Sequence, residues 1–192
     1  MRICVFSGSS PGSAPAYRAA ATALGALLAR NTVELVYGGA AVGLMGAVAD
    51  AALAGDGRVT GVIPQALVDR EVAHPGLTDL RIVGSMHERK ALMASLSDGF
   101  IALPGGIGTF EELFEIWTWA QLGSHAKPCG LLNILGFYDR LLEFLDHVTA
   151  QGFMKKVHRE MLLVQADPAS LLRAMAHYRA PTVTKWLKPA ET

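Results

Sequence analysis

The stretch Phe100-Ile101-Ala102-Leu103 is apolar at every position, with no polar residue on either face of the pleat. A strand of that kind is covered on both sides, as in the middle of a parallel sheet, and does not suit a half-solvated antiparallel one. Similar short runs recur at residues 3–6, 33–37, 59–63, 80–83, 128–133 and 162–164. Helical patterns over 13–30, 42–54, 86–97, 110–121, 137–151 and 168–178 alternate with them, while 64–78 reads as irregular with one helical turn. This alternation predicts an α/β fold with a single doubly wound parallel sheet and helices on both faces. Ligands in such a sheet sit beyond the carboxyl ends of the strands.

The length of 192 residues fits one domain, taken here as residues 1–178, followed by a C-terminal tail at 179–192 that contains two prolines. Apolar residues make up 51% of the chain, too many for a disordered one and enough for a full core and a subunit interface. Lys plus Arg equals Asp plus Glu at 17 each, so the basic excess that a duplex binder uses to displace counterions is missing. Extended nucleic acid is therefore not expected as a partner. Cys4 and Cys129 fall inside strand-like runs without CxxC spacing and are expected to be buried reduced thiols. The chain enters a strand at Arg2-Ile3-Cys4-Val5-Phe6, which leaves no room for a leader, and no apolar run approaches the roughly 20 residues of a membrane span. A cytoplasmic protein without a membrane partner is the expectation.

Three glycine-rich turns each follow an expected strand and open an expected helix: Ser7-Gly8-Ser9-Ser10, the segment from Gly38-Gly39-Ala40-Ala41 to Gly46, and Pro104-Gly105-Gly106-Ile107-Gly108-Thr109. Glycine lets backbone N–H groups converge on an anion, and a helix N-terminus adds a favourable dipole. The same glycines can simply make tight turns. For one turn alone the two readings balance; for three at one sheet edge, binding is preferred, although the strict dinucleotide fingerprint GxGxxG is absent from the first. In the third turn, Thr109-Phe110-Glu111-Glu112 fits a capping box with Thr109 as N-cap. Glu112 is thus either a cap or a carboxylate serving the reacting end of a ligand, whereas Glu111 and Glu115 read as solvated or paired.

A second polar cluster, Met86-His87-Glu88-Arg89-Lys90, opens the helix before residues 99–103. Adjacent cations usually mark a solvated face, but Ala91-Leu92-Met93-Ala94 is unusually apolar for one. Arg grips a phosphate or carboxylate with two parallel hydrogen bonds, and Lys adds a point charge. His87 is expected to be structural. The six histidines are scattered without HExxH, and no metal-ligand set, GxSxG or P-loop appears. Trp117 and Trp119 are expected to pack in the core or an interface.

On these motifs the chain resembles the LOG ("Lonely guy") family of cytokinin riboside 5′-monophosphate phosphoribohydrolases, whose older members were often labelled lysine decarboxylases. The resemblance runs from residue 3 to about 163. It rests on the PGGxGTxxE stretch from Pro104 to Glu112, on Met86-His87-Glu88-Arg89-Lys90 as an MHxRK-like element, and on Tyr37-Gly38-Gly39 through Gly43-Leu44-Met45-Gly46. It implies a Rossmann-like, cofactor-free homodimer that cleaves the N-glycosidic bond of a nucleoside 5′-monophosphate, releasing base and ribose 5-phosphate. Carried over by position, Arg89 and Glu112 are the catalytic pair, and Glu71, Lys90, Gly105, Gly106, Ile107, Gly108, Thr109 and Thr118 bind substrate. No metal is implied. The chain departs from the family at Ala40 and Ala41, at Ser85 and at Asn31, and Ala40 is expected to hinder backbone approach if its turn touches the phosphate. A salvage nucleosidase of broader base choice and a non-catalytic nucleotide sensor are the competing expectations.

Overall fold

Residues 1–69 and 73–182 are described by the computed structural model, so Glu71 and the tail from 183 onward lie outside the described residues. Seven strands form one sheet: β1 (Arg2–Phe6), β2 (Glu34–Tyr37), β3 (Val59–Pro64), β4 (Asp79–Val83), β5 (Gly99–Ala102), β6 (Cys129–Leu132) and β7 (Leu162–Gln165). The spatial order is β4-β3-β2-β1-β5-β6-β7, and every neighbouring pair is parallel. The expected α/β sheet is thus present, including its doubly buried strands: β3, β5 and β6 are buried at every residue. The winding direction reverses at β1, which pairs with β2 on one side and β5 on the other. A crevice opens at that switch point, beyond the carboxyl ends of the strands.

Alternation along β1 shows how both faces are filled. Ile3 and Val5 join a core under α1 (Pro15–Arg30), α2 (Gly43–Ala54) and α8 (Pro168–Ala176). Cys4 and Phe6 join the opposite core with residues of α4 (Met86–Leu96), α5 (Ile107–Gln121) and α6 (Asp139–Ala150). Burial pushes the thiol of Cys4 well up and that of Cys129 to about 12, so both are inert core residues. Short helices α3 (Gln65–Val68) and α7 (Lys156–Arg159) and a 3-10 turn at Ile134–Gly136 complete the described chain. The last two carry no periodic signal of their own, being shorter than one repeat of a helical pattern. Among the described residues, no helix is long and apolar enough to cross a membrane.

The start of α5 differs from expectation in a way that bears on the site. α5 begins at Ile107, three residues before the expected start, and its N-cap is Gly106 without a side-chain cap bond. Thr109 and Glu112 therefore lie inside the helix and make no capping box. A side-chain cap is found on α4 instead, where Ser85 Oγ accepts from Glu88 N–H at 3.1 Å while Glu88 Oε2 accepts from Gly84 N–H, one residue before the cap, at 2.7 Å. Ser85 is therefore a cap, and Asn31 likewise closes α1 by donating from Nδ2 to the Leu27 carbonyl at 2.8 Å.

Candidate active site

The three glycine turns meet at the switch point, but most of their glycines serve packing. A Cβ on Gly43, whose φ is +58°, would collide with the backbone of Ser9 and Ser10; one on Gly46 would collide with the Ala41 carbonyl. A Cβ on Gly105 would strike Thr109 and approach Gly8 N to 2.8 Å. The backbone bonds agree, with Gly8 N–H donating to Pro104 O at 3.1 Å and Leu44 N–H to Gly8 O at 3.0 Å. The first turn is clamped between the other two. Ala40 lines the cleft, and its backbone forms an antiparallel bridge to Ala73.

Gly106 and Gly108 are different. A Cβ on either would meet nothing within 4 Å. The first backbone bond of α5 runs from Phe110 N–H to Gly106 O, so the amides of Ile107, Gly108 and Thr109 have no helical acceptor. These donors, with the positive end of a 15-residue helix behind them, face a cleft of about 440 Å³. Its lining brings together Gly106, Ile107, Gly108, Thr109, Arg89 and Glu112 from the expected set, with Ser7 and Gly38 beside them.

Arg89, on the first turns of α4, is only 7% exposed. Its Nε donates to the Val62 carbonyl at 3.1 Å and its Nη2 to the Gly38 carbonyl at 3.3 Å. Gly38 is required for that placement, because a Cβ there would overlap the guanidinium. The glycine at this turn makes room for a cation; it does not cradle an anion. From this seat Nη2 stands 3.8 Å from Glu112 Oε1, close enough for attraction but too far for a hydrogen bond. Among the described residues no hydrogen bond reaches the Glu112 carboxylate. Burial raises its pKa to about 7, with Arg89 pulling in the opposite direction and Glu111 adding to the rise. A carboxylate poised near neutrality beside a buried cation is suited to general-base work and to stabilising positive charge.

Other expected residues lie elsewhere. Lys90 turns away from the cleft, its Nζ paired with Glu111 and, at 3.0 Å, with Glu115. Burial alone would lower the Lys90 ammonium, but its hydrogen bonds to Glu111 and Glu115 prevail and raise it. Gly105 supports the turn from beneath, and Thr118 is exposed on α5 well past Glu112. His87 is exposed on α4 and makes no hydrogen bond among the described residues, so the structural role expected for it is not found. Trp117 is in the core, donating from Nε1 to the His158 carbonyl at 3.0 Å, while Trp119 is half-buried. Sequence reasoning did not single out Ser7, Val62 or Gly38 as individual site residues. The part of Val62 and Gly38 depends on contacts with Arg89, and that of Ser7 on its place in the assembled cleft, and no local pattern records either.

The comparisons with known proteins fit this geometry. A family model described as "possible lysine decarboxylase" matches residues 45–175. A probable cytokinin riboside 5′-monophosphate phosphoribohydrolase of Oryza sativa subsp. japonica is 52% identical over 92% of this chain and 78% of its own length. A cytokinin riboside 5′-monophosphate phosphoribohydrolase of Arabidopsis thaliana is 48% identical over 92% and 82%. Among solved structures, the molybdenum cofactor binding protein of Rippkaea orientalis superposes with a TM-score of 0.69 at 21% identity, covering 91% of this chain and 94% of its own. That likeness is one of fold. The sequence matches extend over about nine-tenths of the chain and are to enzymes, and the chain belongs to the LOG family of cytokinin riboside 5′-monophosphate phosphoribohydrolases.

Proposed function

We propose that this protein hydrolyses the N-glycosidic bond of an adenosine 5′-monophosphate, including N6-modified cytokinin nucleotides, to free base and ribose 5-phosphate. The observation that carries the reading is the side-by-side burial of Arg89 and Glu112 in a cleft that ends at a helix N-terminus with free amides. The 5′-phosphate docks on the amides of Ile107, Gly108 and Thr109, and Gly106 and Gly108 leave it room. Binding there fixes the sugar without touching the bond that breaks. Val42, Met45, Leu67 and Met86 supply apolar lining suited to an aromatic base and an apolar N6 substituent.

Cleavage develops positive charge on the ribose ring. Ionised Glu112 stabilises that charge and takes a proton from the water that attacks the anomeric carbon, while the bonding pair leaves with the glycosidic nitrogen. Arg89 holds the carboxylate in place and favours its charged form. Arg89 is thus an electrostatic partner, its guanidinium supplying charge and N–H donors. Lys90 acts at one remove by neutralising Glu111 and Glu115 behind the site.

Release of base and ribose 5-phosphate from AMP and from isopentenyladenosine monophosphate tests the reading. GMP, CMP and the unphosphorylated nucleosides serve as comparators. Hydrolysis of nucleotides but not nucleosides is expected; equal rates on both would remove the phosphate anchor, and binding without hydrolysis would leave a nucleotide sensor. A lysine decarboxylase finds no support in the cleft. A Schiff base requires a lysine amine there, and among the described residues lining it there is none. The finer assembly we propose is a homodimer formed through the groove of about 600 Å³ lined by Val83, Leu92 and Trp119, and sedimentation as a monomer would count against it.

A further inference from the structure

The floor of the cleft contains a polar group that the protein leaves unused. Ser7, directly after β1, is 8% exposed, and its Oγ has no hydrogen-bond partner although it is shut off from solvent. Buried hydroxyls are nearly always bonded, because a desolvated donor without an acceptor is costly. An alanine would fill the same space without that cost. Ser7 nonetheless lines the same cleft as Arg89, Glu112 and Thr109.

Its position along the sheet decides what it faces. On one side β2 leads to Gly38, whose carbonyl holds Arg89. On the other β5 leads through Pro104, bonded to Gly8 N–H, into the turn with the open Gly106 and Gly108. Ser7 thus opens on the one cleft that holds both the anion site and the Arg89–Glu112 pair. If the phosphate occupies the first and the anomeric carbon the second, the part of a nucleotide that spans them is its ribose. We infer that Ser7 Oγ hydrogen-bonds a ribose hydroxyl of the bound nucleotide and makes the site select ribose over deoxyribose. The inference rests on the hydrolase reading above for its ligand. A site built to bond a hydroxyl rejects the analogue that lacks it, since its own polar group is then left unpaired.

The test is a cycle of two proteins against three sugars: wild type and Ser7→Ala with AMP, 2′-deoxy-AMP and 3′-deoxy-AMP, read by calorimetric binding and by kcat/KM. Removing the hydroxyl should weaken AMP by roughly 10-fold and leave one of the two deoxy analogues unchanged, so that the preference for ribose over that analogue collapses. The thermal midpoint of Ser7→Ala should stay level or rise, because a desolvated unpaired group has gone. Equal weakening of all three ligands would place Ser7 on the phosphate or in the scaffold and overturn the inference. So would unchanged affinity for all three, or a lowered midpoint with parallel losses. The two readings fail separately. A wild type that binds AMP through Ser7 but releases no base refutes the hydrolase alone, and an active wild type matched by Ser7→Ala refutes the ribose contact alone.

Discussion

The turns after β2 and β5 look alike in sequence and are opposites in space. Each is glycine-rich, each opens a helix at the same sheet edge, and either could be taken for a phosphate cradle. In the first, Gly43 and Gly46 lie against Ser9 and Ala41, and Gly38 makes way for a guanidinium. In the second, Gly106 and Gly108 face open space before a helix whose first amides are unpaired. What separates them is what a Cβ would meet. At this sheet edge, a glycine that touches neighbouring backbone is explained by packing, and one that touches nothing leaves room beside the free amides for a ligand. The first turn thus seats the cation, the second leaves open space and free amides suited to an anion, and the carboxylate lies on the helix of the second.

If that division holds, the largest effect belongs to Glu112. Glu112→Gln keeps the shape and removes the charge, and kcat should fall roughly 100-fold or more. Near-normal turnover would make the carboxylate incidental and leave the second turn as a binding site only. The same variant has a stability signature of opposite sign. The folded pKa of Glu112, about 7, lies above the ordinary 4.5, so the folded state prefers the protonated form. Its contribution is intact below pH 4.5 and is lost as pH rises through 7, amounting to on the order of 3 kcal/mol when fully ionised. Glu112→Gln should therefore unfold at a higher temperature than wild type at pH 8, with the gap closing by pH 4. In wild type, kcat/KM should rise with pH through about 7, as a base that must be ionised requires.

Next comes Gly38→Ala, which attacks the first turn where it serves the cation. The added methyl displaces the Arg89 guanidinium from the Gly38 carbonyl and from Glu112. We expect about a 30-fold loss in kcat/KM, consistent with the cost of misplacing one electrostatic group. A full-activity variant would show that Arg89 reaches its task from another seat.

Smaller still, and sharpest for the comparison, is an alanine exchanged at matched positions in the two turns. Gly106→Ala and Gly108→Ala should fold normally and raise KM for nucleotides about 10-fold, because their methyls enter the anion site. Gly43→Ala should lose roughly 2–4 kcal/mol of stability, through positive φ and overlap with Ser9. Reversal of these outcomes, with Gly43→Ala stable and Gly106→Ala unfolded, would erase the distinction between the turns.

Much of this is legible in the sequence alone. Uninterrupted apolar runs such as residues 100–103 announced a doubly covered parallel sheet, since water leaves no other place for them. The motifs around Arg89 and Glu112 pointed to the two charged groups that the cleft brings side by side. Their roles were harder to read, because a capping box and a buried acid share the spelling Thr-x-x-Glu. Only the actual start of α5, at Ile107, removes Glu112 from the capping positions. Lys90 shows the converse: as one of two adjacent cations it resembled Arg89, but one residue along a helix is a rotation of about 100°, and that turns it to Glu111 and Glu115. Ser7 shows a third limit, since burial without a partner is a property of the assembled sheet edge.

Lys90 supplies the most delicate test, because its influence on Glu112 is wholly indirect. Its ammonium sits between Glu111 and Glu115, and each of these carboxylates pushes the Glu112 pKa up while Lys90 itself pulls it down. Lys90→Met keeps the apolar stem and deletes the charge. Two carboxylates then act on Glu112 without their counterion, and the lysine's own pull on it is gone. The ascending limb of the kcat/KM profile should therefore move to higher pH by under about one unit. At pH 7 that means a loss of only a few-fold, restored at pH 8.5. A loss that persists at high pH would instead put the Lys90 amine on the substrate, and the cation side of the site would then extend beyond Arg89.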